Sequence, residues 1–141
     1  VSVLYTATVT ATGGRAGKVV SSDNVLNLDV KMPKELGGAG GAGTNPEQLF
    51  AAGYASCFDQ ALNLVIRTKG IKDVTGTQVT AHVSLLRDES DNGYQLGVRL
   101  EVKVDGVDAD TAHQLVEEAH QVCPYSKGTR GNVTVDRIVV Q

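Results

Sequence analysis

The segment that most constrains this chain lies between two glycine interruptions. Residues 37–43 read GGAGGAG, almost without side chains, and Gly70 breaks the pattern downstream. Between them, Asn45 suits a helix N-cap, Pro46 the first helical position, and Glu47 the positive end of the helix dipole. The spacing predicts a helix from there to about Lys69. Its first half, LFAAGYASCF, is apolar or small on every side, as in a helix buried all round, and is expected at the centre of the fold. Ala51, Ala52, Gly53, Ala55 and Ser56 would let a second helix approach closely, including the same helix of a second subunit. The glycine run reads as a mobile loop and not an interdomain linker, because neither flank could bury a core alone.

Around this helix the pattern changes to a period of two. Residues 3–11 (VLYTATVTA) and 18–30 (KVVSSDNVLNLDV) alternate with β-branched enrichment, separated by the turn Gly13–Gly17 and by Ser22-Asp23-Asn24. They predict three antiparallel strands joined by hairpins. Two longer strands are expected at about Thr77–Leu86 and Tyr94–Val104, linked by the polar turn 87–93. Asp108 then caps a helix whose apolar positions Ala112, Leu115, Val116 and Ala119 recur at helical spacing, ending at Cys123-Pro124. After the turn GTRGN, Val133–Val140 alternates as a last strand. The order βββαββαβ indicates an α+β fold of antiparallel sheets around a central buried helix.

At 141 residues the chain is sized for a single domain, 1–141, with a core that needs no disulfide staples. With 13 Lys and Arg against 16 Asp and Glu, and no basic cluster, nucleic acid is not an expected partner. The apolar stretches read as too short to span a bilayer, and Val1 opens a strand-like alternation where a secretory leader would be basic and then apolar. The reading is a soluble, cytoplasmic protein without a membrane partner. Two cysteines in such a compartment are either redox-active or merely buried.

Cys57 sits on the predicted central helix with Phe50, Tyr54 and Phe58 nearby, where a small core residue would also be at home. To act as a nucleophile it must become a thiolate, which burial opposes, and the helix dipole, twelve residues away, gives no help. A cation must come from elsewhere. Arg15, in its glycine-rich turn, is a candidate for that charge or else a solvated hairpin residue; Glu47 stabilises its helix and could also hold an arginine through paired hydrogen bonds. Cys123 falls at a helix end, a boundary expected to be more accessible than a helix interior and so suited to a resolving thiol, or simply a capped terminus. His120 and Cys123 are three residues apart, but without a Cys-x-x-Cys or His-Glu-x-x-His pattern no metal site is expected. His82, in mid-strand, reads as a solvent-face residue.

Three separated segments together carry a more specific signal. Asn45–Phe58 (NPEQLFAAGYASCF) and Val122–Asn132 (VCPYSKGTRGN) resemble the two cysteine motifs of the organic hydroperoxide resistance proteins within the OsmC-like family, and Tyr5–Gly17 resembles that family's N-terminal hairpin. The resemblance covers essentially the whole chain. It implies an OsmC-like intertwined dimer, with Cys57 as the peroxidatic cysteine, Cys123 as the resolving cysteine, Arg15 as the arginine that stabilises the thiolate, and Glu47 as the carboxylate that holds the arginine. Asp59-Gln60 departs from the pattern, where smaller or more apolar residues are expected.

The reaction so implied is reduction of an organic hydroperoxide, alkyl or fatty-acid, through a Cys57 sulfenic acid and a Cys57–Cys123 disulfide, recycled by a dihydrolipoyl-type thiol reductant and using no cofactor. Phe50, Tyr54 and Phe58, with Met32 and Leu36 ahead of the glycine run, suggest an apolar substrate pocket. The alternatives are an osmotically inducible OsmC-type peroxidase with a different peroxide preference, and a thiol redox sensor or lipid-binding module that oxidises once without turnover. Glu47 and Cys57 stand ten residues apart, about 15 Å along one helix and on different sides of it. An arginine bridging both within one chain would be stretched, so a homodimer with shared active sites is expected.

Overall fold

The computed structural model describes all residues from 1 to 141. The chain divides into two compact units, residues 1–49 and 50–141.

The first unit holds a three-stranded antiparallel meander, β1 (Val9–Thr12), β2 (Lys18–Ser21) and β3 (Asn27–Asp29). β1 and β2 close through Gly13–Gly17, where Gly13 and Gly14 adopt φ of 83° and 59° and the Ala16 amide donates to the Gly13 carbonyl at 3.0 Å. A Cβ on Gly17 would overlap the Thr12 carbonyl oxygen, so only glycine lets this turn fold tightly beneath Arg15. At the second turn, Asp23 accepts from the Ser21 hydroxyl at 2.6 Å and from the Val25 amide at 3.0 Å, and Asn24 takes the left-handed φ of 64° that asparagine tolerates. Both predicted hairpins are present with shorter strands. The alternation at residues 3–8 is not realised as a strand, and Val3, Leu4 and Tyr5 are exposed. Alternation supplies side chains for a face but not the neighbouring backbone that a ladder requires: the Ser22 amide donates to the Thr8 carbonyl at 2.9 Å, and no strand pairs with residues 3–7 before it.

The glycine-rich loop is tied at its ends. Val30 forms an isolated bridge with Thr44, the Lys31 amide donates to the Thr44 carbonyl at 2.9 Å, and the Thr44 amide donates to the Asp29 carbonyl at 2.8 Å. A single 3-10 turn, Lys34–Leu36, precedes the glycine run.

Helix α1 (Pro46–Thr68) begins as the sequence dictates, with the Asn45 side chain accepting from the Gln48 amide at 2.8 Å. The second unit then adds β4 (Gly76–Asp88), β5 (Gly93–Asp105), α2 (Ala109–Val122), α3 (Pro124–Thr129) and β6 (Val135–Val140). Asp108 caps α2 by accepting from the Thr111 amide at 2.8 Å. The core interleaves two periods: Tyr54, Phe58, Ala61, Leu62, Val65 and Ile66 from α1, Val98, Leu100, Val102 and Val104 from β5, and Ala112, Leu115, Val116 and Ala119 from α2.

Four expectations require correction. β4 and β5 pair antiparallel in register from Gly76↔Asp105 to Asp88↔Gly93, but β6 runs parallel to β5, so this sheet is mixed within the α+β fold. Helix α2 is a crossover, and a crossover returns the chain to the same end of the sheet. Pro124, predicted only to end a helix, also starts the short α3, in whose first turn its missing N–H costs nothing. Helix α1 is not buried all round within one chain: Ala52, Ser56, Gln60 and Leu64 form an exposed stripe at four-residue spacing. Finally, α1, at 23 residues, does meet the length and composition of a bilayer-spanning helix. A core helix of a folded domain passes the same test, and α1 packs its buried face onto β5 and α2.

Candidate functional site

In the first unit, Arg15 projects from the tight glycine turn and grips Glu47 with both arms of its guanidinium, Nη1 to Oε1 at 2.8 Å and Nη2 to Oε2 at 2.9 Å. The pair is partly shielded, at 29% and 16% side-chain exposure. The Arg15 hydrogen bonds hold the Glu47 carboxyl below its ordinary range, against an opposing effect of burial, so Glu47 stays ionised and the arginine is fixed as a planar fork.

In the second unit, the two cysteines are free and face each other, Cys123 Sγ to Cys57 Sγ at 3.7 Å. Cys57 is half-buried on α1, while Cys123 is fully buried. The expectation that a helix boundary would leave Cys123 accessible is therefore corrected. The chain breaks between α2 and α3 at Cys123 (φ −62°, ψ 123°), and the side chain joins the core cluster instead of the surface. A disulfide needs about 2.05 Å between sulfurs, so a modest side-chain rotation would join them.

Burial pushes the Cys57 thiol up from its ordinary value. A hydrogen bond from the Tyr125 backbone amide opposes this, and Cys123 adds to it. Within its own unit no cation acts on Cys57, so the thiol form is favoured unless a positive charge is supplied. Beside it opens a concavity of about 220 Å³ lined by Cys57, Gln60, Ala61, Leu64, Val122 and Pro124.

The remaining predicted residues take other positions. Tyr54 and Phe58 are fully buried in the core, and Phe50 packs edge-on against Tyr54 and Tyr125 with ring centroids 6.2 and 6.1 Å apart. None of the three lines the concavity at Cys57. Met32 and Leu36 belong to the first unit, half-buried and exposed respectively. Asp59 accepts from the Thr77 hydroxyl at 2.6 Å and so fastens α1 to β4, which accounts for a carboxylate where a smaller side chain was expected; Gln60 lines the concavity. His82 is exposed and faces Glu101 at 3.2 Å.

Sequence reasoning missed a polar chain that runs from a surface ion pair into the core. Glu117 accepts from Arg137 through two hydrogen bonds of 2.7 and 2.9 Å, Arg137 Nη1 lies 3.2 Å from His120 Nε2, His120 Nδ1 lies 2.8 Å from Ser126 Oγ, and Ser126 Oγ lies 2.8 Å from the Tyr54 hydroxyl. Both ring nitrogens of His120 are thus engaged. The His120-x-x-Cys123 spacing that suggested a ligand pair is a helix end whose histidine faces the protein. Only Ser126, one residue past Tyr125, signalled this, as a hydroxyl placed where the chain turns back into the core.

Burial first, then the Arg137 and Arg130 charges, lower the His120 pKa from its ordinary 6.5, while Glu117 opposes them. The native protein consequently resists a proton that the unfolded chain accepts. Folding stability contributed by His120 is complete above about pH 6.5, falls as pH drops below it by at most about 1.4 kcal/mol per unit, and levels off below the native pKa. Urea unfolding between about pH 8 and pH 5 should show a shallower pH slope in His120→Asn than in the parent. Identical slopes would mean that His120 titrates alike in both states.

The α+β fold thus brings two free thiols close together, one within α1 and one just past the end of α2. The OsmC-like protein family model matches residues 38–137. Over 137 residues the chain is 61% identical to the organic hydroperoxide resistance protein OhrA of Bacillus subtilis, covering 94% of this chain and 93% of that protein. The crystal structure of B. subtilis OhrB superposes with a TM-score of 0.91 at 49% identity, covering 98% and 100% of the two chains. An organic hydroperoxide resistance protein from Legionella pneumophila superposes with a TM-score of 0.94 at 46% identity, covering 99% and 100%. The chain belongs to the OsmC-like family and, within it, to the organic hydroperoxide resistance branch.

Proposed function

We propose that this protein is a cysteine-based peroxidase that reduces organic hydroperoxides to alcohols as part of an oxidative stress response in the cytoplasm. The observation that carries the reading is the pair of free sulfurs 3.7 Å apart, one half-buried beside a concavity and the other enclosed behind it. The names of the relatives, organic hydroperoxide resistance proteins, support the substrate class.

In the proposed cycle, the Cys57 thiolate attacks one peroxide oxygen, the O–O bond breaks, and the alcohol leaves after taking a proton, with Cys57 oxidised to the sulfenic acid. The Cys123 thiol then attacks the Cys57 sulfur, forming the disulfide and expelling water. A dihydrolipoyl dithiol would restore both thiols and become a cyclic disulfide itself. Because Cys123 is enclosed, the half-buried Cys57 sulfur is the one an external thiol reaches first. Arg15, aimed by Glu47, is assigned two tasks: favouring the thiolate and stabilising negative charge on the departing oxygen. Phe50, Tyr54 and Phe58 take part as packing behind the nucleophile, with Met32 and Leu36 as apolar groups on the substrate side.

We place this chemistry in a homodimer with shared sites. Two features support it: the exposed stripe of α1, which opens on the small residues Ala52 and Ser56, and the strand-like residues 3–7, which pair with no strand of their own chain.

A peroxidase assay tests the function. With dihydrolipoamide as reductant, alkyl hydroperoxide should be consumed catalytically and faster than hydrogen peroxide, with thioredoxin run in parallel. Consumption of a single equivalent per thiol pair with every reductant would overturn turnover in favour of a redox sensor.

A further inference from the structure

The concavity at Cys57 is built from one face of α1 and the junction of α2 with α3. Cys57, Gln60, Ala61 and Leu64 follow one another at the three- and four-residue steps that share a helix face, and Val122 and Pro124 complete the lining from the α2–α3 junction. Apart from the thiol, the lining side chains are hydrocarbon at Ala61, Leu64, Val122 and Pro124, with a single carboxamide at Gln60. The volume of about 220 Å³ is below the roughly 300–1,000 Å³ of sites for drug-sized ligands. Such a slot suits a small or narrow molecule, apolar over most of its length and polar at one end.

Helix geometry decides which end is polar. A helical side chain leans toward the N-terminus and covers the turn before its own Cα, so Gln60, three residues after Cys57, leans over the turn that carries the sulfur. Leu64 stands seven residues after Cys57, about 10 Å along the axis. Thiol and carboxamide therefore share one end of the slot, and the Leu64 hydrocarbon lies beyond them. Leu64 and Val122 are 41% and 48% exposed, apolar surface whose covering by an alkyl chain is favourable. Within the exposed stripe of α1, Ala52 and Ser56 precede Cys57 and are small enough for close approach of a second helix, whereas Gln60 and Leu64 follow it and are not. The half of the stripe suited to a second helix is thus distinct from the half that lines the slot.

We propose that Gln60 is a specificity-determining residue whose carboxamide holds the O–OH group of a hydroperoxide at the Cys57 sulfur, while Leu64, Val122 and Pro124 hold its alkyl chain. The choice of substrate rests on the peroxidase reading above. A carboxamide matches the O–OH group in both directions: its carbonyl oxygen accepts the hydroperoxide O–H, and its amide N–H donates to a peroxide oxygen. Gln60 reads the part common to all hydroperoxides, and the hydrocarbon wall reads the part that varies.

A homologous series separates the two contributions. In the parent protein, kcat/KM for straight-chain alkyl hydroperoxides from ethyl to octyl should rise about fourfold for each methylene buried, then level off once the slot is full. Gln60→Met, at an exposed position and with a side chain of similar length but no amide, should lower every member by the same factor, about tenfold. Leu64→Ala and Val122→Ala should instead flatten the rise. A folded Gln60→Met protein whose series coincides with the parent's, or a parent series that does not rise, would overturn the proposal. Binding in the slot is read without turnover by the protection of Cys57 from iodoacetamide by straight-chain alcohols, which should strengthen from ethanol to octanol and weaken in Gln60→Met. A parent that consumes no hydroperoxide would overturn the function and leave this protection to be read by itself. Protection that does not grow with chain length would overturn the assignment of the slot.

Discussion

Replacing Cys57 with Ser is expected to abolish hydroperoxide consumption altogether, whereas Cys123→Ser should complete one turnover and then stop. The difference follows from the order of events. In the proposed cycle Cys57, half-exposed and beside a concavity, is the sulfur assigned to meet the peroxide, and Cys123, enclosed, is assigned the step after oxidation. Without Cys123 the sulfenic acid has no intramolecular exit and accumulates, open to further oxidation if peroxide is in excess. Cys57→Ser should leave the fold intact, since a hydroxyl is close in size to the thiol, while at the enclosed position 123 a hydroxyl without a hydrogen-bond partner costs about 1–3 kcal/mol of stability. Mass spectrometry after one equivalent of hydroperoxide reads the result, as one oxygen added to Cys57 in Cys123→Ser and no oxygen added in Cys57→Ser. Equal loss of the first turnover in both variants would refute the assignment of roles.

Arg15→Ala is expected to slow peroxide reduction by about 10²–10³, the cost typical of losing a charge-stabilising donor at a reacting oxygen. Burial pushes the Cys57 thiol up from its ordinary value, so loss of a stabilising cation favours the less reactive thiol form. Arg15 lies in the unit opposite in sequence to the cysteines, tied to Glu47 at the start of α1. Helix geometry separates Glu47 from Cys57 by about 15 Å of axial rise, which is why the charge is assigned to the second copy of the chain. Subunit mixing makes this decisive. Cys57→Ser and Arg15→Ala proteins, each nearly inactive alone, should regain activity when mixed, because a shared arrangement gives each mixed dimer one intact site. No recovery in dimers shown to have exchanged, or a fully active monomer, would refute it.

The parts of this protein legible in sequence are those whose physics is local. Asn45, Pro46, Gly70 and Asp108 mark helix ends because a cap is made by side chains within a few residues of the backbone they satisfy, and the helices begin and end where these residues stand. The period-two runs at β4 and β5 placed both strands within a few residues, since alternation follows from the pleat itself. The Arg15–Glu47 pair was legible only through the resemblance of three separated motifs; spacing alone favours a solvated hairpin charge at Arg15.

Other features depend on segments meeting that are far apart in the chain. Whether β6 runs parallel or antiparallel to β5 depends on the side to which α2 returns it, and its alternating pattern is the same either way. The enclosure of Cys123, the exposure of Ala52, Ser56 and Gln60 on a helix whose first half reads as apolar or small, and the lack of a strand partner for residues 3–7 are likewise set by what packs opposite each residue. The chain from Arg137 to Tyr54 is the clearest case, since Tyr54 and Ser126 are 72 positions apart and neither residue's neighbours in sequence suggest the other. Local sequence determined where helices and most strands begin and end, because propensity and capping act over a few residues. The burial of each sulfur, the direction of the last strand and the protonation of His120 were decided only by the tertiary structure, because hydrogen bonding and desolvation depend on which groups are brought within a few ångströms, whatever their separation along the chain.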